Sequence, residues 1–229
     1  MKSWERKLPS GWRVRRRTIF VSKRQGRTPQ KPGHSRFLKV HKTPAMFEYP
    51  IIAALRNDDD WIHLADSPVR TVFLMYGNLL GLKQSVKRLH LLGKKVVVHI
   101  ELIKGLGQSK EAVSYIADQV RPEGIVTTKG HLIGPVKEAG LTAVLHLFLL
   151  DTNAFNTGIQ LVKTSMPDAV EIMPGLMPRV VRDLSREITV PILAAGLIQT
   201  PEEIQSILHA GAKGVITGTS TLWGLHVEY

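Results

Sequence analysis

The sequence predicts an α/β protein folded as a compact (β/α)8 barrel of the TIM type with short helices, behind a basic N-terminal extension. Three observations carry this. Eight short apolar runs rich in β-branched residues follow one another from Pro50 to Gly218. Each is followed by a stretch of helical pattern, and apolar runs of this length divided by amphipathic segments read as repeated βα units around a parallel sheet. The excess positive charge is confined to the first fifth of the chain, which sets that segment apart from the units.

Residues 1–45 come first. Of the net charge of +12, residues 1 to 43 hold fourteen Lys or Arg against one acid, Glu5, while residues 44 to 229 hold seventeen bases against eighteen acids. The stretch WRVRRRTIFVSKRQGRTPQKPGHSRFLKVHK has no sustained apolar period and several Pro and Gly, so it is expected to be largely disordered alone. A nucleic-acid-binding arm and a transit-like peptide are two readings of it. The preferred reading is that it lies upstream of the natural start. Met46 stands just before the first strand, and translation from there gives a nearly neutral domain of residues 46–229.

The expected strands are PIIAAL (50–55), TVFLMY (71–76), KVVVHI (95–100), GIVTTK (124–129), TAVLHLFLL (142–150), AVEIM (169–173), PILAA (191–195) and GVITG (214–218). Between them lie helix candidates, among them DDWIHLAD after the first strand, LKQSVKRLHLLG after the second, MPRVVRDLSREI after the sixth, TPEEIQSILHAG after the seventh and a short STLWGL after the eighth. Eight units close a barrel, but residues 46–229 allow only about 23 residues each, below the roughly 250 residues of a typical barrel. The helices must therefore be short and the connection in the second unit tight. A doubly wound open sheet is the alternative. Its nucleotide-binding form wants a glycine-rich turn after an early strand, and ALRNDDDW contains no glycine.

Composition narrows the function classes. The chain has no cysteine, which excludes disulfides, thiolate metal sites and a thiol nucleophile. The longest apolar run, Leu141 to Leu150, falls well short of the roughly 18 residues that span a bilayer, so a soluble protein with no membrane partner is expected.

Ligands of barrels collect at the C-terminal ends of the strands, with phosphate often held by the loops after strands seven and eight. Gly196 and Leu197 follow strand seven, and Gly218, Thr219 and Ser220 follow strand eight at the start of a short helix. Backbone N–H groups exposed by glycine, hydroxyl donors and a helix N-terminus could bind a phosphate there without a cationic side chain, whereas turn glycines and a helix cap are the alternative. Polar residues at the other strand ends complete the cup: Arg56, His99, Glu101, Lys129, His146, Asp151 and Glu171. Period two places His99 and Glu101 on one side of the sheet, and a buried carboxylate needs a partner such as Lys129 or Arg56. His-x-Glu on a strand is a weak metal signal without a third ligand at fixed spacing, so no metal and no other cofactor is expected. Asp58 to Asp60 read as solvated helix capping. In EIMPGLMP the prolines and glycine stiffen a rim loop, and the methionine spacing reads as packing.

The motifs PIIAALRNDDD, VVVHIELIKGL, PEGIVTTKGHLI, LHLFLLDT, PDAVEIMPGLMP and PILAAGLI, closing with GTSTLW, closely resemble those of the glycerol-3-phosphate-responsive antiterminator family, across essentially all of residues 46–229. The resemblance implies a cytoplasmic barrel protein that is not an enzyme, senses glycerol 3-phosphate as its effector, and acts on leader mRNA of glycerol-utilisation genes. It places the family's arginine at Arg56, its acid after strand three at Glu101, its basic residue at Lys129, its strand-six acid at Glu171 and its glycine turn at Ala195 to Ile198. Two departures stand out. His146 replaces an expected arginine, which makes any anion contact there pH-dependent or abolishes it. The turn reads AAG where AGG is expected.

The neutral core is an awkward partner for RNA, whose phosphates attract Lys and Arg. Two local patches are candidates: Lys83, Lys87, Arg88, Lys94 and Lys95 around one helix, and Arg179, Arg182 and Arg186 around another. Solvated helix faces are their alternative reading. Two further functions stay open: a barrel enzyme on a small phosphorylated substrate, with Lys129 as nucleophile or acid and Glu101 or Glu171 as base, and a sensor that works through a protein partner. A homodimer is a further expectation.

Overall fold

The computed structural model describes residues 43–227, so the expectation for residues 1–45 lies, but for its last three positions, outside the described residues. Eight parallel strands close into a barrel in chain order: β1 (Ile51–Leu55), β2 (Thr71–Leu74), β3 (Lys95–His99), β4 (Gly124–Thr127), β5 (Thr142–Phe148), β6 (Ala169–Met173), β7 (Ile192–Ala195) and β8 (Gly214–Thr217). The ring is sealed by β8 on β1, where Ile51 faces Val215 and Ala53 faces Thr217. Each strand falls within or on the run expected for it: β6 matches it, β1 and β7 lose only the leading proline, and β2, β3, β4, β5 and β8 end one to two residues earlier where the chain turns into its loop.

The helices are α1 (Trp61–Leu64), α2 (Leu79–Leu91), α3 (Lys110–Tyr115), α4 (Gly130–Glu138), α5 (Thr152–Ser165), α6 (Pro178–Glu187) and α7 (Pro201–His209). The shortage of residues is met at the two ends of the ring. The first unit has one turn of helix, and β8 is followed by a single 3-10 turn, Ser220–Leu222. Side-chain caps start four of the others: Asn78, Ser109 and Asp151 each accept a backbone N–H from the first turn of α2, α3 and α5, and Thr200 with Glu203 forms a capping box on α7, whereas α6 opens on Pro178.

Strand alternation divides the apolar residues into two sets. Ile51, Val72, Val96, Val98, Ile125, Leu145, Ile172 and Val215 pack outward beneath the helices. Ile52, Phe73, Val97, Val126, Val144, Leu193 and Ile216 fill the interior. Met46 and Phe47, in a 3-10 turn ahead of β1, join the interior set and plug its lower end: the Phe47 and Phe73 rings lie 6.3 Å apart and Thr71 donates its hydroxyl to the Met46 carbonyl. The interior parity continues upward to His99, His146 and Glu171, so polar groups replace apolar ones toward the C-terminal mouth.

One strand assignment needs correction. His99 ends β3, and Glu101 lies in a 3-10 turn, Ile100–Leu102, so strand alternation does not set its direction. Its carboxylate is drawn back beside His99 by the Thr127 and Thr128 donors.

Candidate ligand site at the mouth of the barrel

The loops after β7 and β8, with Arg56 after β1, enclose a cavity of about 300 Å³. Gly196, Leu197, Gly218 and Thr219 all line it, as do Met75 and Met173 from the ends of β2 and β6. Gly196 and Leu197 are both left-handed, at φ +82° and +65°, which turns the chain sharply at the end of β7. Glycine is required at the first of these for packing as well: a Cβ on Gly196 would lie 2.9 Å from Met173 Cγ. The group that approaches this glycine is therefore protein, and the methionine of EIMPGLMP packs there as expected. Gly175 brings the loop after β6 onto the same turn, its N–H donating to the Gly196 carbonyl at 3.1 Å.

At Gly218 the neighbour is Arg56. A Cβ there would lie 2.3 Å from the guanidinium carbon, and Arg56 Nη2 donates to the Gly218 carbonyl at 3.1 Å. The cavity thus holds a cationic fork beside its loop amides, a stronger anion partner than N–H groups alone. Thr219 contributes less than expected. Its N–H donates to Thr217 Oγ1 at 3.1 Å and its hydroxyl to the Ile198 carbonyl at 3.4 Å, so it ties the two loops together. Ser220 does not line the cavity, and the three-residue 3-10 turn that it opens is too short to sum a useful macrodipole.

Beside this cavity lies a buried polar cluster. Glu101 Oε1 accepts from the Thr127 hydroxyl at 2.6 Å and from Thr128 N–H at 3.0 Å, while Oε2 lies 3.2 Å from His99 Nδ1. Burial pushes the Glu101 carboxyl up, but the His99 imidazole, the Thr127 hydroxyl and its own backbone N–H outweigh it and hold the carboxyl at about 2. Neither Lys129 nor Arg56 is its partner: among the described residues Lys129 makes no ion pair, and its backbone N–H donates to Thr127 Oγ1. Glu171, fully buried, faces His146 across the β5–β6 pair with Oε2 3.0 Å from Nδ1. That contact is off the hydrogen-bond line, and both Glu171 oxygens and both His146 nitrogens have no hydrogen-bond partner among the described residues. The His99 and His146 rings meet edge to face at 5.4 Å, and Phe148 covers His146 at 4.4 Å. One donor atom each from His99, His146 and Glu171 lies within 4.8 Å of the others, a set that could hold a metal ion. The third member comes from another strand, so spacing along β3 could not show it.

The other candidates disperse. Asp151 caps α5. Asp58 and Asp59 are exposed just ahead of α1, as expected, whereas Asp60 is buried and accepts Arg56 N–H at 2.8 Å; Asn57 Oδ1 accepts the Asp59 and Asp60 N–H groups. Of the first basic patch, Lys83, Lys87 and Arg88 are exposed on α2, with Arg88 4.1 Å above the Trp61 ring. Lys94 is buried and donates to the Ser67 and Val69 carbonyls at 2.6 and 2.9 Å, so it offers no charge to a partner, and Lys95 sits at the N-terminal end of β3, remote from the mouth. On α6, Arg179 and Arg186 both pair with Asp183, and Arg182 is exposed. Sequence reasoning missed Met75, Gln199, Thr127 and Thr128. Only the run of hydroxyls in GIVTTK marked any of them as polar donors.

Among the described residues no helix is long and apolar enough to cross a membrane. A solved glycerol uptake operon antiterminator regulatory protein from Listeria monocytogenes superposes with a TM-score of 0.75 at 30% identity, covering 78% of this chain and 96% of that one. A glycerol uptake operon antiterminator-related protein from Thermotoga maritima gives a TM-score of 0.69 at 33% identity over 77% of this chain and 98% of its own. YgcP of Escherichia coli strain K12, an uncharacterized protein, is 27% identical over 176 residues, 77% of this chain and 92% of that protein. The family model for the glycerol-3-phosphate responsive antiterminator matches residues 51–223, the whole barrel from β1 to the turn after β8, and the chain belongs to that family of transcription regulators.

Proposed function

We propose that the protein binds glycerol 3-phosphate at the barrel mouth and, in that state, acts on leader mRNA of glycerol-utilisation genes so that transcription passes a terminator. The observation that carries the reading is the Arg56 guanidinium set against Gly218 in the cavity between the β7 and β8 loops. The phosphate would sit on Arg56 and the amides of Gly196, Leu197 and Gly218, and the glycerol hydroxyls would reach toward Glu101 or Lys129. A cavity of about 300 Å³ is at the lower end of the range for small-molecule sites, which suits a ligand of this size.

Ligand would tie together loops that are already linked through Thr217, Thr219 and Ile198. Leu197, 67% exposed, lies on one of them, so ordering these loops changes the surface offered to RNA or to a second copy of the chain. For this to act as a switch the ligand must prefer the competent state by a few kcal/mol. The reading places the protein in the cytoplasm with the transcripts, without membrane attachment and without chemistry of its own. The enzyme alternative asks Lys129 to work with Glu101 or Glu171, and it pairs with neither.

The test is calorimetric titration with glycerol 3-phosphate, glycerol and inorganic phosphate, followed by leader-RNA binding with and without the effector. Binding of the phosphorylated ligand alone, weakened in Arg56→Ala, is expected. Turnover of any sugar phosphate by the wild type but not by Lys129→Ala would replace this reading with the enzymatic one.

A further inference from the structure

We infer that His99, His146 and Glu171 form a binding site for a first-row divalent transition metal of the zinc class. Three observations lead there. The three side chains are 5%, 4% and 0% exposed, and their donor atoms converge within 4.8 Å. Glu171 places two carboxylate oxygens, and His146 two ring nitrogens, in the barrel interior without a hydrogen bond among the described residues. Buried polar groups left in this condition are rare, and a cation that takes a lone pair from the Glu171 carboxylate and from one ring nitrogen of each histidine would satisfy the carboxylate and half of the His146 ring.

The donor set selects the ion. Two imidazoles and one carboxylate suit zinc, iron or manganese, whereas calcium and magnesium require oxygen ligands throughout. Three protein ligands leave coordination open to water or a ligand oxygen, as in sites that bind small molecules rather than structural zinc sites. The ligand atoms of a tetrahedral zinc ion lie roughly 3.3 Å apart, so atoms now as far as 4.8 Å from one another must close by up to about 1.5 Å, a movement asked of side-chain rotation. Glu101 fits the outer shell: its carboxylate lies 3.2 Å from His99 Nδ1, off the hydrogen-bond line, and a small turn of the ring on ligating through its other nitrogen would bring Nδ1 onto the carboxylate, which fixes the tautomer. The site lies beneath Met173 and Phe148 in the same barrel mouth, but the inference does not rest on the glycerol 3-phosphate reading.

The experiment uses the full chain, stripped with chelator and titrated with zinc and with cobalt. We expect one ion per chain and a cobalt ligand-field spectrum, with X-ray absorption of the zinc form showing two imidazoles and oxygen ligands. Glu171→Gln and His146→Arg should each weaken binding by about 100-fold or more, and Glu101→Gln by about 10 to 100-fold. His146→Arg keeps a positive group beside Glu171, which favours a folded variant. Less than one ion bound by the wild type, or undiminished binding in folded Glu171→Gln or His146→Arg, overturns the site and assigns any uptake to surface histidines. Should neither variant fold, a zinc shell of the wild type without two imidazoles does the same.

Discussion

The Arg56 guanidinium lies directly over the Gly218 backbone, close enough that any side chain at 218 must displace it. This contact links the first and last strands of the ring at the point where the cavity opens. Arg56 is exposed and its charge is not used elsewhere among the described residues, so its removal should spare the fold. We expect Arg56→Ala to weaken glycerol 3-phosphate binding by about 1.5 to 3 kcal/mol, the range for a hydrogen bond to a charged group. Gly218→Ala, which moves the guanidinium, should do the same to a lesser degree. Calorimetry beside thermal unfolding separates the two effects, and a melting point that falls with the affinity would contradict the assignment.

Gly196 stands under a double constraint, a φ of +82° and Met173 Cγ 2.9 Å from the position of a Cβ. An alanine there meets both, the backbone term alone costing about 1 to 2 kcal/mol. Pairing it with Met173→Ala should recover the steric part only. Urea unfolding of the two single variants and the double one therefore predicts partial rescue, and full rescue would show that the left-handed turn is not strained.

How much of this was legible follows from what each signal measures. The eight strands were readable because parallel strands buried on both faces, such as VVVH and GVIT, are continuous apolar runs between helical segments. Gly196 was legible because a left-handed turn leaves a residue-type signature, whereas Gly218 was legible only by its place after strand eight, its constraint being the Arg56 guanidinium. The partners were not readable. Spacing along β3 paired Glu101 with His99, but the helical turn at Ile100–Leu102 and the Thr127 hydroxyl decide where that carboxylate points. Lys94 looked like part of a basic helix face, because nothing local reveals the two carbonyls that bind it in the interior. The convergence of His146 and Glu171 is a property of β5–β6 register, which sequence separation conceals.

Tyr76 joins the loop after β2 to the turn after β1, accepting from Trp61 Nε1 and donating to Asp58 Oδ1 at 2.8 Å. Burial pushes its phenol up to about 12, the Trp61 hydrogen bond acting against this and the Asp58 hydrogen bond and the charges of Asp58 and Asp60 reinforcing it. Because the folded value lies above the ordinary 10, the protonated phenol favours the folded state. Its contribution is complete below pH 10 and is lost as pH rises through 12. The difference in unfolding free energy between wild type and Tyr76→Phe should therefore shrink across that window. A difference independent of pH there would show that the phenol titrates as in the unfolded chain.

The first basic patch divides into residues that can meet RNA and one that cannot. Lys83 and Lys87 are exposed on α2, whereas the Lys94 ammonium is held between two carbonyls, with burial pushing its pKa down. Reversing both exposed charges, Lys83→Glu with Lys87→Glu, should abolish leader-RNA binding at moderate salt and leave the melting temperature in place. Replacing only one, by alanine, should lower the slope of log affinity against log salt by about 1, as expected for the loss of one phosphate contact. Lys94→Met should do the opposite, costing about 1 to 3 kcal/mol of stability through the carbonyls left without donors, with RNA affinity preserved in the folded fraction. Filter binding across a salt series, read beside urea unfolding of the same three variants, tests the division. RNA affinity unchanged by the double reversal would move the RNA surface away from α2, and a Lys94 variant as stable as the wild type would show that its burial is incidental.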